Sequence, residues 1–322
     1  MNTKHVSILV MHGNLSVVNV EGTLQILSDV NSPHEAPLFD VHLVGINPQG
    51  IQDTSPFSVC PDCLMQEVPE TDLIVIPAVH DDHLQVIERN RAFIPWIIDQ
   101  HRRGAEIASL CVGAFFLAAT GLLNSRHCST HPAEANLFRR MYPEVLLVDE
   151  KIVTAEAGIY TSGGGYSFLN LLLYLVEKYT GHEKSLAIAK AFAIDFSRTS
   201  QSHFAVFRGQ RDHNDDAVRA VQDFIELHWQ KRLSVEQLAD QAAIGRRSLE
   251  RRFKTATGNS VAEYILRAKI EAAKGRLESG VRTVSEVMYD VGYADQSAFR
   301  TAFKKITGMT PVQYKNKYKS LL

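Results

Sequence analysis

Residues 233–264 read LSVEQLADQAAIGRRSLERRFKTATGNSVAEY, and residues 283–314 read TVSEVMYDVGYADQSAFRTAFKKITGMTPVQY, fifty positions on. Laid over each other without a gap, Glu236 falls on Glu286, Asp240 on Asp290, Phe253 on Phe303, Lys254 on Lys304, Thr257-Gly258 on Thr307-Gly308 and Tyr264 on Tyr314. Apolar positions pair as well, Leu238 with Met288 and Leu249 with Phe299. A fixed offset of this kind marks a duplicated supersecondary unit. Each copy reads as helix, short turn, helix: Val235–Gln241 and Arg246–Ala256 in the first, Val284–Val291 and Gln296–Thr307 in the second. Ser234 and Asp295 are placed to cap helix starts, and Gly258 and Gly308 to end helices in a left-handed residue. Leu249 with Phe253, and Phe299 with Phe303, stand four apart and share a face that packs inward.

The opposite faces are rich in groups that read nucleic acid. The first offers Arg246, Arg247, Glu250, Arg251 and Lys254, the second Gln296, Ser297, Arg300, Thr301, Lys304 and Lys305. Arginine matches guanine edges, glutamine matches adenine, and lysine suits phosphate. Charge supports this reading. Residues 215–322 hold 19 Lys and Arg against 13 Asp and Glu, whereas residues 1–214 hold 15 against 23. A basic tail on an acidic body favours a nucleic-acid partner.

The first two-thirds of the chain alternates strand-like and helix-like segments. Val6–Met11, Val41–Ile46, Leu73–Pro77 and Ala105–Leu110 read as buried parallel strands. Gly22–Leu27, Leu84–Arg103, Ala114–Leu123 and Phe168–Tyr179 read as helices, and 144–162 as a less regular strand pair. This alternation predicts an α/β domain with helices on both sheet faces. The polar segment 208–216 reads as a linker, so the expected division is a domain over 1–207 and an all-α domain over 217–322, with helix-turn-helix units at about 234–256 and 284–307. No apolar run reaches the roughly 18 residues of a membrane span, and the start of the chain reads as a buried strand, which points to a cytoplasmic protein. Cys60-Pro61-Asp62-Cys63 has CxxC spacing but no second pair follows, so it reads as two loop thiols without a metal.

Two resemblances add to this reading. The stretch 233–317 resembles the AraC/XylS-type DNA-binding domain. In the first unit the resemblance rests on Leu238-Ala239, Ser248-Leu249, Arg251, Phe253-Lys254 and Thr257-Gly258. In the second it rests on Val291-Gly292-Tyr293, Ser297, Phe299-Arg300, Phe303-Lys304-Lys305, Gly308, Thr310-Pro311 and Tyr314. It implies two recognition helices joined by a long helix, here about Val261–Glu278, entering successive major grooves of double-stranded DNA. Arg252 departs from the pattern, where an apolar residue is usual; it is expected to snorkel or to touch a phosphate. Residues 5–205 resemble the PfpI-like, glutamine-amidotransferase-like superfamily in the version fused to such DNA-binding domains, the GlxA-type regulators. The matching residues are Ala108-Ser109-Leu110-Cys111, Gly113-Ala114-Phe115, Gly121-Leu122-Leu123, Thr130-His131, Tyr142-Pro143, Thr161-Ser162-Gly163-Gly164, Arg198 and Gln201. This implies a flavodoxin-like sandwich that commonly dimerises.

Cys111 sits where a strand turns directly into a helix, a geometry expected to expose the thiol and lower its pKa through helix amides. The departures speak against catalysis. Val112 stands where active members carry a histidine. Asn19 matches an acidic residue in the loop after the first strand, and Ala78-Val79 replaces a glycine pair. A nucleophile needs a base and an oxyanion site, and no catalytic residue or cofactor is assigned. The expected function is a DNA-binding transcription regulator controlled by a small metabolite, an amino acid or methylated amine as the resemblance implies, held in a cleft lined by Asn19, Ala78, His80, Cys111, Val112, Thr130 and His131. Its partners are DNA, the effector, a second copy of the chain, and RNA polymerase if it activates. The alternatives are a cysteine-dependent hydrolase fused to a DNA-binding domain, and a dimerisation scaffold without ligand.

Overall fold

The computed structural model describes residues 3–31, 36–48, 57–211 and 213–319, and the chain divides between Gln201 and Ser202 into two compact units. In the first unit, seven strands form one sheet in the order β3-β2-β1-β4-β5-β9-β8. They are β1 (Lys4–Leu9), β2 (Phe39–Gly45), β3 (Cys63–Leu64), β4 (Leu73–Ile76), β5 (Glu106–Ser109), β8 (Val153–Glu156) and β9 (Ile159–Ser162). All neighbours run parallel except the β8–β9 hairpin. A separate two-stranded ribbon pairs β6 (His127–Cys128) with β7 (Leu146–Leu147). Every residue of β4 is buried; both faces of the central sheet are covered, which is why Leu73-Ile74-Val75-Ile76 is a continuous apolar run rather than an alternating one.

The helices of this unit are α1 (Val17–Val30), α2 (His83–Arg89), α3 (Phe93–Arg102), α4 (Gly113–Ala119), α5 (Ala135–Met141), α6 (Ser167–Thr180) and α7 (His182–Ala191). Helices α1, α6 and α7 pack on one another, and α2 packs on α4. The single helix expected over Leu84–Arg103 is broken at Asn90. That residue is fully buried, and its amide accepts from the His12 backbone N–H at 2.7 Å while donating to the His12 carbonyl at 2.8 Å. A side chain that satisfies a β-strand's exit loop in this way ends one helix and fixes the start of the next.

Among its described residues the second unit has only helices as regular elements: α8 (Asp216–Leu227), α9 (Val235–Gln241), α10 (Arg246–Thr257), α11 (Val261–Glu278), α12 (Val284–Asp290), α13 (Gln296–Thr307) and α14 (Pro311–Tyr318), with a short 3-10 turn before them. It holds two cores. Leu238, Leu249, Phe253, Val261 and Tyr264 lie in one; Ile270, Leu277, Val287, Phe299, Phe303 and Tyr314 lie in the other. Helix α11 contributes to both and so joins the two halves. Gly258 and Gly308 end α10 and α13 at φ 73° and 75°, the left-handed region that glycine enters without strain.

The repeat departs from a gapless register. Ser234 and Thr283 cap α9 and α12, each closing a capping box with Gln237 or Glu286. These helices therefore correspond at an offset of 49, whereas α10 and α13 correspond at 50. Glu286 is the partner of Gln237, not of Glu236, and the second turn is one residue longer than the first. The extra residue keeps Leu238-Ala239 and Val287-Met288 equally buried, because inward packing, not residue identity, sets the alignment.

The segment 208–216, expected to be a linker, is held against the second unit. Arg211 bonds Asp223 and Glu226, each at 2.6 Å, and Gln222 donates to the Gln210 carbonyl at 2.9 Å. Asp215 caps α8 and accepts a two-pronged bond from Arg252 on α10, at 2.8 and 2.6 Å. Arg252 thus commits its part-exposed guanidinium to Asp215 rather than to a phosphate, which also explains why this position is not apolar.

Candidate functional site

The outward faces of α10 and α13 carry every residue assigned to DNA. Leu249, Phe253 and Thr257 point into one core and Phe299, Phe303 and Thr307 into the other. Arg246, Arg247, Glu250, Arg251, Lys254, Gln296, Ser297, Arg300, Thr301, Lys304 and Lys305 are all exposed. They differ in how occupied they are. Arg246 is engaged by Glu236 and Glu250, and Lys254 donates to the Gly258 carbonyl at 2.5 Å, closing the end of its own helix. The side chains of Arg247, Arg251, Arg300, Lys304 and Lys305 have no hydrogen bond or ion pair among the described residues. Unpaired cations on a helix face retain their donors for an outside acceptor.

The second constellation lies at the carboxyl ends of the parallel strands, where α/β sheets place ligand sites. Strand β5 runs into Cys111, whose φ of 55° is in the left-handed region; a non-glycine residue there costs about 1–3 kcal/mol and needs support from its surroundings. The support is visible: the Cys111 N–H donates to Ser162 Oγ at 3.1 Å, and Thr130 Oγ1 donates to the Cys111 carbonyl at 3.0 Å. The thiol itself differs from expectation. It is buried, 4% exposed, and burial pushes its pKa up despite amides of Gly165 and Val112 that donate to the sulfur. Desolvation outweighs the helix-start amides because so little of the group meets water.

Asn19 lies in the first turn of α1 rather than in a loop. It is buried, and its Oδ1 accepts from the Ala78 N–H at 3.1 Å. The amide of Ala78 is therefore already used. His131 is half-buried; its Nδ1 accepts from the Ala133 N–H at 3.2 Å, which leaves the neutral ring's proton on Nε2. Its ring fills space that a Cβ on Gly164 would need, at 2.3 Å. His80 is exposed.

Two residues near this point escaped the sequence reading. His83 stacks on Phe115 with ring centres 3.6 Å apart, and its Nε2 lies 3.6 Å from the Glu134 carboxylate. Glu134 also acts electrostatically on His131 and Cys111. Burial lowers the pKa of both His83 and His131 below the ordinary 6.5, against the pull of Glu134. Beside Val112 and His83, with Met11, Val79 and Phe116, is a small space of about 10 Å³, room for about one water molecule. Of the residues assigned to the cleft, Val112 borders this space; Cys111 and Thr130 meet each other, and Asn19 meets Ala78. Glu134 could have been found from its place three residues after His131 on the same short turn. His83 carried no signal beyond being a histidine.

The other cysteines stand apart. Cys128 is fully buried with its pKa pushed up to about 12, Cys60 and Cys63 are free thiols, and among the described residues no three His, Cys, Asp or Glu side chains gather as metal ligands.

A strained, buried cysteine at the carboxyl edge of a flavodoxin-like sheet, joined to a doubled helix-turn-helix with open basic faces, defines a DNA-binding transcription regulator of two parts. The chain belongs to the DJ-1/PfpI family, whose model matches residues 18–178, half of its length, and residues 238–317 match a helix-turn-helix domain. Over 299 residues it is 21% identical to the HTH-type transcriptional regulator GbdR of Pseudomonas aeruginosa, covering 92% of this chain and 80% of that one. It is 25% identical over 213 residues to the HTH-type transcriptional regulator GlxA of Rhizobium meliloti, covering 65% of each. The crystal structure of an AraC family transcriptional regulator from Pseudomonas putida superposes with a TM-score of 0.51 at 17% identity, over 59% of this chain and 99% of that one, a likeness of fold. No helix among the described residues is long and apolar enough to cross a membrane.

Proposed function

We propose that this protein binds specific promoter sequences through α10 and α13 and that a small metabolite, held around Cys111, sets its activity. Arg247, Glu250 and Arg251 read bases in one major groove; Gln296, Ser297, Arg300 and Thr301 read the next; Lys304 and Lys305 hold phosphates. The observation that carries this is the pair of outward helix faces, each anchored by its own aromatic core, with Arg247 and Arg251 on one and Arg300 on the other making no side-chain hydrogen bond or ion pair among the described residues.

In the recess, Asn19, Ala78, His80, Cys111, Val112, Thr130 and His131 serve as walls, and Glu134 joins them. One carboxylate among imidazoles that burial keeps neutral suits a ligand with an ammonium end, an amino acid or a methylated amine. The space that Val112 and His83 border has room for about one water molecule, so a ligand enters there only by moving those side chains. The same features argue against turnover. The thiol is held protonated by burial, Val112 offers no base, and the Ala78 amide is spent on Asn19, so neither activation nor an oxyanion site is supplied. The protein acts in the cytoplasm as a homodimer joined through its first unit, and it meets RNA polymerase where it activates.

Two measurements test this. Sequencing the genomic DNA that the purified full chain retains is to give one recurring sequence; random fragments overturn the DNA reading. A thermal-shift series with amino acids and methylated amines is to raise the melting temperature, and Glu134→Gln is to abolish the rise. No shift with any of them overturns the ligand reading.

A further inference from the structure

Gln201 is the last residue of the first unit and is 1% exposed. Its side-chain amide bonds three segments of the chain at once. Oε1 accepts from the Gly164 N–H at 2.8 Å; Nε2 donates to the carbonyls of Thr130 and Asp149, at 3.0 and 2.8 Å, and lies 3.3 Å from Ser129 Oγ. Its backbone N–H donates to the Glu150 carbonyl at 2.9 Å. The segments it grips are the walls of the recess: Thr130 bonds the Cys111 carbonyl, Gly164 backs His131, and the neighbouring Gly165 amide faces the thiol. Backbone and side chain are close enough that a Cβ on Gly163 would lie 2.2 Å from Gln201 Oε1. A shift of Thr130 or Gly164 acts directly on the Gln201 side chain.

The residues that follow belong at once to the DNA-binding unit. Ser202–Phe204 forms a short 3-10 helix that packs on α13, the Ala205 carbonyl accepts from Lys274 on α11 at 2.5 Å, and the Phe207 N–H donates to Glu271 at 3.1 Å. Gln201, which grips these segments, and Ser202, which begins the turn packed on α13, are consecutive in the chain. We propose that Gln201 is the positioning residue that couples the recess to DNA binding: a ligand that moves Thr130 or Gly164 pulls on Gln201, and through Ser202–Phe204 on α13. This rests on the ligand reading above.

Coupling is reciprocal, so DNA serves as the probe although the effector is unidentified. The full chain is treated with N-ethylmaleimide, with and without a saturating genomic fragment that it retains. Labelling of each cysteine is followed by mass spectrometry, with exposed Cys60 as the internal reference. DNA is to change the Cys111 labelling rate by about fivefold or more and leave Cys60 unchanged. Gln201→Ala, still retaining the fragment, is to label Cys111 at one rate with or without DNA. Phe204→Ala trims a side chain that is 47% exposed and packs on His203 and Tyr318; it alters the turn without touching the recess, its folding is checked by circular dichroism, and it is to lose the response too. A wild-type response in either folded variant overturns the proposal. So does a wild-type protein that binds DNA with no change at Cys111, while the thermal-shift series decides ligand occupancy separately.

Discussion

Arg251→Ala separates base reading from general attraction to DNA. Arg251 is exposed on α10 and has no hydrogen bond or ion pair among the described residues, so its removal leaves folding within about 0.5 kcal/mol, the usual range for such surface changes. Its neighbour Arg252 differs, being locked to Asp215. If Arg251 holds a base edge with two bonds, the loss of operator affinity is about 1–3 kcal/mol, roughly 5- to 150-fold, and it is confined to one base pair. Random duplex loses only what one fewer positive charge removes. Lys304→Ala is the contrast: it weakens operator and random DNA alike and lowers the slope of log K against log salt by about 0.9. Fluorescence anisotropy with both duplexes at several salt concentrations measures all four quantities. An Arg251→Ala protein that loses the same factor on random DNA as on operator, or loses nothing on operator, refutes the assignment.

Phe303→Ala, at a fully buried ring in the second core, is to destabilise the protein by about 3–5 kcal/mol, read as a lower melting temperature together with lost DNA binding. Gly164→Ala puts a Cβ 2.3 Å from the His131 ring and is to cost about 1–3 kcal/mol as the ring is displaced, measured by urea unfolding. His83 and His131 have pKa values lowered on folding, so the unfolded chain binds more protons. Their contribution is complete above the unfolded value of 6.5 and is lost as pH falls below it towards the lowered folded values. The melting temperature is to fall from pH 7 to pH 5, and Phe at both positions is to flatten that fall; an unchanged pH profile in the double variant would count against the histidines as its source.

The helical repeat was the most legible part of the chain, because its apolar spacing, caps and terminal glycines all state one local geometry. Its flaw was the register. Identical letters, Glu236 and Glu286, suggested a gapless match, whereas capping and burial placed Glu286 with Gln237 across a longer turn. In the first unit, apolar runs located the inner strands, but the break at Asn90 depends on the distant loop at His12, which no local pattern records. Arg252 and Asp215 each look like solvent-facing charge in the sequence, and only the fold shows that they bond each other. The cysteine's turn was legible from its strand-to-helix setting. Its burial was not, because the residues that meet it, Thr130, Ser162 and Gly165, come from segments far along the chain. Gln201 was visible only as a match to a pattern; its role depends on three loops that the fold brings to one point.

Footprinting of the retained operator decides whether both helices read DNA. Guanine methylation interference on the full chain is to show two major-groove clusters on one face of the duplex, about 10 base pairs apart, with the cluster at one end lost in Arg251→Ala and the other in Arg300→Ala. A single cluster, or interference that neither variant alters, contradicts the tandem reading.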